Sequence, residues 1–272
     1  MKNLPVALQL YTVRDFLEKD VRSTLAKVRE LGYEYVEPAG LYGLPAETFR
    51  QYLDELGLKA ICAHVPLAEM QADPDGVMKT YRKLGMKYIA VPYLAEGQRP
   101  GDPGFDKVLA DIERIGKAAA ENDMQLLYHN HDFEFITLPD GRFGLDAMYE
   151  TVPAEYLATE LDTCWVKVAG QDPAAYIRKY AGRCPVVHLK DFYGSKTEHM
   201  YELIGTNEAK AEKSAAFEFR PVGSGVQDIP AILEAALESG AHYVVVEQDS
   251  SNDRSSLDAA ASSRQYLASL GW

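Results

Sequence analysis

Cysteine, basic charge and long apolar runs are all scarce in this chain, and each scarcity removes a class of explanation. Only three cysteines occur, Cys62, Cys164 and Cys184, with no CxxC pair among them. That argues against a disulfide scaffold, a zinc knuckle or a dithiol redox centre, and reduced thiols in packing roles are expected. Lys and Arg number 28 against 41 Asp and Glu, a formal charge of -13. Such a surface repels a phosphate backbone, so no nucleic-acid partner is expected, although a local basic pocket is compatible with the balance. No stretch approaches the roughly 20 apolar residues of a bilayer span. The start, Met1-Lys2-Asn3-Leu4-Pro5, lacks the apolar core of a secretory signal, so the expectation is a cytoplasmic chain with no membrane partner. Linkers and low-complexity tracts are also missing, which predicts one domain over residues 1–272.

What is present is alternation. Apolar strand-like runs and amphipathic helix-like runs follow each other, with glycines such as Gly32, Gly57 and Gly85 closing helices. The first unit is a strand over Val6 to Val13 with a helix over Val21 to Leu31. The second is Tyr35 to Glu37 with Ala46 to Leu56, and the third Leu58 to Pro66 with Val77 to Leu84. Lys87 to Tyr93 pairs with Phe105 to about Glu121, and a fifth strand closes at His129 before a helix near Leu145 to Thr151. Then come Tyr156 to Thr163 with Pro173 to Tyr180, Pro185 to Phe192 with Ile229 to Glu238, and His242 to Gln248 with Ser256 to Leu270. The strands are too continuously apolar to face water, and the units are alike in size. The prediction is an α/β protein, a single (β/α)8 TIM barrel with its active site at the carboxyl ends of the strands. A doubly wound open sheet is the competitor, but no glycine-rich phosphate loop follows the first strand. The rhythm breaks once, at about residues 193–220, where a long polar segment reads as a substrate-covering loop or a partner contact.

The strand ends carry the chemistry. Four apolar runs each finish on a residue able to ligate a divalent metal: Leu126-Leu127-Tyr128-His129, Ala158-Thr159-Glu160-Leu161-Asp162, Pro185-Val186-Val187-His188 and Tyr243-Val244-Val245-Val246-Glu247. Residues two apart on a strand share a face. That groups His129 with His131, Glu160 with Asp162, His188 with Lys190, Glu247 with Asp249, and, on earlier strands, Gln9 with Tyr11 and Cys62 with His64, beside Glu37. Any one of these alone is an ordinary hydrogen-bonded core residue, Tyr11 and Trp165 read first as wall or packing residues, and Glu160 reads as a neutralising partner for Lys190 or Lys167. Together they are too many polar groups for packing to explain, because buried charges must be paired or coordinated. A donor set of His129, Asp162, His188 and Glu247, without thiolate, suits Mn, Co, Mg, Zn or Fe.

Five motifs then carry a resemblance: Gln9-Leu10-Tyr11-Thr12-Val13-Arg14-Asp15, Tyr128-His129-Asn130-His131-Asp132-Phe133-Glu134-Phe135, Glu160-Leu161-Asp162-Thr163, His188-Leu189-Lys190-Asp191 and Val246-Glu247-Gln248-Asp249. Together they resemble the xylose isomerase-like barrel superfamily, in its sugar phosphate isomerase/epimerase branch, over essentially the whole chain. The resemblance implies one divalent ion, with Asp162, His188 and Glu247 in their usual places and His129 where relatives carry glutamate. That exchange makes the ligand set less negative by one charge, so a bound ion is a stronger Lewis acid held less tightly. It also implies proton abstraction beside a carbonyl through an enediolate. Glu247 is the first candidate base, with His129 or His131 second, and Lys190 stabilises the oxyanion. Gln9, Tyr11, Glu37, His64, His131 and Trp165 are expected to bind a small carbohydrate. A sugar isomerase or epimerase is the first expectation. A lyase acting on a keto-sugar, an inosose or a 3-keto-glycoside is the alternative, favoured by the loss of a second glutamate base, and a catalytically silent sugar-binding barrel is the third. Abasic-site endonucleases share this barrel, but the acidic balance argues against that activity. Gly223-Ser224-Gly225 offers backbone donors to a phosphate or simply a turn, and barrels of this branch often pair as homodimers.

Overall fold

The computed structural model describes residues 3–197 and 217–272, so most of the predicted loop at 193–220 lies outside the described residues. Barrel strands β1 (Val6–Gln9), β2 (Tyr35–Glu37), β3 (Lys59–Ala60), β4 (Tyr88–Val91), β5 (Gln125–His129), β6 (Ala158–Asp162) and β7 (Val186–Leu189) come first along the chain. A short ribbon of β8 (Asp191–Gly194) and β9 (Phe217–Arg220) follows, and then the last barrel strand, β10 (Tyr243–Val246). The eight barrel strands form one parallel sheet in the order β3-β2-β1-β10-β7-β6-β5-β4. Its two edges meet where His64 bridges Ala39 on one side and Ala90 on the other, with Ala90 N donating to Ala63 O at 2.8 Å and Val65 N to Ala90 O at 3.1 Å. The predicted barrel is therefore the observed one, and the ring leaves no long exposed strand edge.

The helices wrap outside in chain order: α1 (Arg14–Leu17), α2 (Val21–Glu30), α3 (Ala46–Leu56), α4 (Leu67–Ala72), α5 (Pro74–Arg82), α6 (Phe105–Glu121), α7 (Gly144–Thr151), α8 (Thr163–Val168), α9 (Pro173–Lys179), α10 (Ile229–Glu238) and α11 (Ser256–Ser269). Their starts are written in the sequence. Asp20, Asp73, Asp172, Asp228 and Ser255 each accept a backbone N–H of the following first turn, which satisfies donors that have no partner inside the helix. Pro74 and Pro173 occupy the first helical position, where the missing N–H is not needed. Gly57 ends α3 in the left-handed region at φ 67. No helix among the described residues is long and apolar enough to cross a membrane.

Three boundaries differ from expectation. The first strand stops at Gln9, because the Gln9 side chain accepts from Tyr11 N at 2.9 Å and Leu10–Val13 coils into a 3-10 turn. The seventh breaks at Lys190 into β7 and the ribbon. The third regular strand is only Lys59–Ala60, with His64 serving as an isolated bridge. Helices α1, α4 and α8 were not anticipated, since runs of 4 to 6 residues carry no readable period.

Inside the ring, the lower layer is apolar: Ala7, Leu127, Ala158, Val186 and Val245 with Cys62 and Ala90. One step towards the strand ends the lining becomes charged, with Glu37, His129, Glu160 and His188 all at 2% exposure or less. Barrel interiors are ordinarily filled by branched aliphatic side chains, so packing alone does not account for this charged upper layer.

Candidate active site

Strand register creates the site. Pairing of β5 with β6 sets His129 opposite Glu160, and pairing of β6 with β7 sets Asp162 opposite His188. Asn130, between the two histidines of its motif, faces sideways instead, and its Oδ1 accepts Asp162 N at 3.0 Å. It fastens the tip of β5 to that of β6.

Asp162 has two tasks. Its Oδ1 caps α8, accepting from Cys164 N at 2.8 Å and Trp165 N at 3.1 Å, and this fixes the carboxylate plane. Its Oδ2 is left without a hydrogen bond, 3.5 Å from His129 Nε2 and 3.2 Å from Lys190 Nζ. On the far side, Glu247 Oε2 lies 2.8 Å from His188 Nδ1, 3.9 Å from His129 Nε2 and 3.1 Å from Lys190 Nζ. The Lys190 ammonium, 1% exposed, also reaches Asp249 at 2.9 Å. Burial alone would lower its pKa, but Asp162, Asp249 and Glu247 together hold it well above the ordinary lysine range.

The imidazoles divide in the same way. Burial pushes His129 down to about 3 and His131 well below its usual range, so both are neutral. For His188 burial is outweighed by Glu160 and Glu37, which hold it well above. Glu37 Oε2 sits 2.8 Å from His188 Nε2, and burial and the neighbouring Glu160 carboxylate push Glu37 up to about 7. Glu160 remains the ionised member of that pair: burial opposes ionisation, but His188 and His64 bring it well below the usual carboxylate range.

The donor atoms of His129, Asp162, His188 and Glu247 all lie within 4.8 Å of one another, as do those of His64, His129, Glu160 and His188. Buried Asp162 Oδ2, His129 Nδ1, Glu160 Oε1 and Glu37 Oε1 have no hydrogen-bond partner. Asp162 Oδ2 has the Lys190 ammonium at 3.2 Å, whereas buried polar atoms left unpaired, such as Glu160 Oε1, carry a penalty of about 1–3 kcal/mol each unless a ligand satisfies them. Two imidazoles and two carboxylates around one point therefore fit a divalent cation, with borderline or hard ions suited to the nitrogen and oxygen set.

Above these residues opens a cavity of about 320 Å³ lined by Tyr11, Glu69, Tyr93, His131, Lys190 and Asp249, among others, and by His64, His129 and Glu247. Pro66 and Pro92 complete its wall. Of the residues expected to bind substrate, Tyr11, His64 and His131 line this cavity. Gln9, Glu37 and Trp165 do not: all three are fully buried. Gln9 caps the 3-10 turn beneath Tyr11, Glu37 buttresses His188, and Trp165 packs under His131, with its ring 5.6 Å from Lys190 Nζ. The reading of Glu160 as a partner for Lys190 or Lys167 is also corrected, because its charged contacts are His64, His129 and His188. Sequence reasoning missed Tyr93, Glu69 and the two prolines. Pro66 and Tyr93 close the third and fourth predicted strands, but neither is a carboxylate or imidazole, and Glu69 lies in the unanticipated helix α4, so the cavity identifies them.

The glycine pair at 223 and 225 is not an open anion site. Asp191 Oδ2 accepts from Gly223 N at 3.0 Å and Gly225 N at 2.9 Å, and Oδ1 from Phe192 N at 2.9 Å and Gln227 N at 3.1 Å. A Cβ at Gly225 would stand 2.2 Å from Asp191 Oδ1. The chain supplies its own anion there, and the turn explanation prevails.

Comparison with known proteins places this geometry. The inosose dehydratase of Lacticaseibacillus casei is 24% identical over 263 residues, covering 87% of this chain and 85% of its own. A sugar phosphate isomerase/epimerase from Parabacteroides distasonis ATCC 8503 matches with a TM-score of 0.78 at 18% identity, over 98% of this chain and 94% of the other. The probable 3-DHS dehydratase involved in petrobactin synthesis from Bacillus anthracis matches with a TM-score of 0.77 at 16% identity, over 97% and 99%. At these identities the structural likenesses speak for the fold. Residues 25–270 match the family described as the xylose isomerase-like TIM barrel. By its profile, its closed ring of parallel strands and the side chains gathered at their tips, the chain belongs to that family, whose members include isomerases, epimerases and dehydratases.

Proposed function

We propose that this protein is a divalent-metal-assisted lyase that dehydrates an unphosphorylated polyol ketone, such as an inosose or a keto-sugar, by β-elimination. The observation that carries the reading is the asymmetry of bases around the cavity. Glu247 is ionised on one side, held well below the usual carboxylate range despite burial by Lys190 and His188. On the other side the cavity wall offers the imidazoles of His129 and His131, with no glutamate at the tip of β5. Epimerisation needs a second base on the opposite face, whereas elimination needs only one.

A cation held by His129, Asp162, His188 and Glu247 would polarise the substrate carbonyl and acidify the neighbouring C–H. The contacts of Glu247 with His188, Lys190 and His129 all use Oε2, which leaves Oε1 to take the α-proton. The electron pair of that C–H bond forms the C=C bond as the β C–O bond breaks. The same carboxyl returns its proton to the departing hydroxyl, and water leaves with no oxidant consumed. Lys190, cationic and buried, offsets negative charge that develops on the carbonyl oxygen. Tyr11 and Tyr93 line the cavity with aromatic surface that would face a substrate ring, and His64 and His131 would offer directional contacts to its hydroxyls.

Two observations support a neutral substrate. Lys190 is the sole lysine or arginine among the described residues lining the cavity, and it is committed to three carboxylates. The backbone donors at Gly223 and Gly225 are taken by Asp191. The curated relative named inosose dehydratase agrees with this choice. Aldose–ketose isomerisation also requires only one base, and it is the second reading. Proton NMR in deuterated water, with Mn²⁺ or Co²⁺ and a panel of inososes, ketoses and 3-keto-glycosides with and without phosphate, separates the two. Release of water or an aglycone is expected; deuterium uptake with the carbon–oxygen bonds intact would establish isomerase chemistry instead.

A further inference from the structure

The ring order divides the cavity into two halves. The four proposed cation donors stand on β5, β6 and β7 or directly after β10, and these strands are consecutive neighbours in the sheet. His131, Lys190 and Asp249 follow the same strands and line the same side. The opposite half is built from the segments after β1 to β4, which contribute Tyr11, Gly40, Pro66, Glu69, Pro92 and Tyr93. Glu69 is the sole carboxylate on that half among the described residues lining the cavity. It follows β3, which stands four places from β7 in either direction round the ring.

The fold holds Glu69 in place without occupying its carboxylate. Leu67 and Met70 anchor α4 by burial. Gln71 Nε2 donates to Asp111 Oδ2 at 2.9 Å and Arg114 Nη2 to Gln71 O at 3.1 Å, which ties α4 to α6. No hydrogen bond or ion pair joins the Glu69 carboxylate to another side chain among the described residues. The cations of this half do not line the cavity: Arg14 donates to Tyr11 O at 2.9 Å, and Arg99 donates to Leu94 O at 3.1 Å and to Tyr93 Oη. His64 Nε2 is engaged by Glu160 Oε2 at 2.6 Å.

We infer that Glu69 is a specificity-determining residue: it accepts hydroxyl hydrogen bonds from the end of a ring polyol remote from the carbonyl, and it turns away rings that carry a carboxylate or phosphate there. A substrate whose carbonyl faces the cation side extends across the mouth towards β3, where it meets Glu69 and no lysine or arginine. A carboxylate only accepts, and its two oxygens serve two neighbouring hydroxyls at once. An anionic group at the same end gains no partner and faces a like charge, with Glu247 and Asp249 across the cavity. A wall that hydrogen-bonds hydroxyls also disfavours a ring that lacks them. Discrimination between neutral and acidic rings therefore belongs to the half of the cavity that the cation does not touch.

This inference rests on the substrate reading above, and its test separates the two. Wild type, E69Q and E69K are given 2-keto-myo-inositol, a neutral ring, and 3-dehydroshikimate, a carboxylated one, with Mn²⁺ present. Where a ring is turned over, KM and kcat are measured; where it is not, its affinity is read by calorimetry. The wild type is expected to take the neutral ring and exclude the carboxylated one. E69Q should weaken the neutral ring by about tenfold, in KM rather than kcat, and narrow the preference. E69K should reverse it, with the carboxylated ring gaining about tenfold or more. Tm and Mn²⁺ affinity should stay at the wild-type values, which distinguishes recognition from a structural role. The same preference in all three folded proteins, or a wild type that favours the carboxylated ring, would overturn the inference. If E69K does not fold, the ratio of affinities in E69Q decides. Glu69-dependent binding of the neutral ring without release of water removes the lyase reading and leaves this one standing, whereas a wild type that binds neither ring removes both.

Discussion

Lys190→Met tests the electrostatic balance of the site most directly, because methionine keeps the length of the side chain and removes its charge. The ammonium lies 3.2, 3.1 and 2.9 Å from Asp162, Glu247 and Asp249, all buried. It also lies 5.6 Å from the rings of both Trp165 and Phe219, a further attraction lost with the charge. Taking one partner out of a buried charge cluster leaves the others uncompensated and destabilises by about 3–5 kcal/mol. For a domain of this size each kcal/mol moves Tm by about 2–4 °C, so metal-free K190M should melt roughly 10 °C below wild type. A divalent cation restores positive charge among the same carboxylates. Saturating Co²⁺ should therefore raise the Tm of K190M by more than it raises that of the wild type, through binding linkage, while turnover stays lost. The assay is differential scanning fluorimetry with and without Co²⁺, checked by denaturant titration. Equal Tm for the two metal-free proteins, or a Co²⁺ shift no larger in K190M, would refute the idea that the ammonium neutralises the ligand carboxylates.

Three further outcomes follow from the same reasoning. Glu247→Gln should abolish turnover while substrate binding, followed by calorimetry, stays largely intact; full activity in that variant would exclude Glu247 as the base. Asp191→Asn sets an amide N–H₂ against backbone donors that now meet a carboxylate, and urea unfolding should show a loss of roughly 3 kcal/mol, whereas a loss under about 1 kcal/mol would mean the loop does not depend on that anion. Glu134 is fully buried and accepts from Tyr128 Oη at 2.5 Å and His131 N at 2.8 Å, and burial pushes it from an ordinary 4.5 up to about 8. Its folded pKa lies above its unfolded one, so its contribution is complete at acid pH and declines as pH rises. Between about pH 5 and 8 the stability of the wild type relative to E134Q should fall by about 1.4 kcal/mol per pH unit and then level off. A flat difference across that range would show that Glu134 is already ionised.

Much of this protein was readable from its sequence because the barrel depends on features that are local. Continuous apolar runs, helices capped by Asp or Ser and closed by glycine, and their repetition along the chain define the ring. Once the strands are parallel, their carboxyl ends converge whatever the details, which is why His129, Asp162, His188 and Glu247 could be named together before any coordinates. The alternation rule likewise placed His131 with His129 and Lys190 with His188. Sequence could not say who stands beside whom at a given depth. That Glu160 meets three imidazoles rather than a lysine follows from the register of neighbouring strands, and register is set by packing between segments far apart in the chain. Gln9, Glu37 and Trp165 lie below the cavity instead of lining it, because the height of a side chain in a barrel depends on strand tilt and stagger, which no single segment encodes. Asp191 filling the turn at Gly223 and Gly225 required two distant loops to meet. Residue identity and spacing determined which groups are gathered at the barrel mouth; the tertiary fold decided their partners, since distances of about 3 Å between side chains from different strands are fixed only when the whole ring has closed.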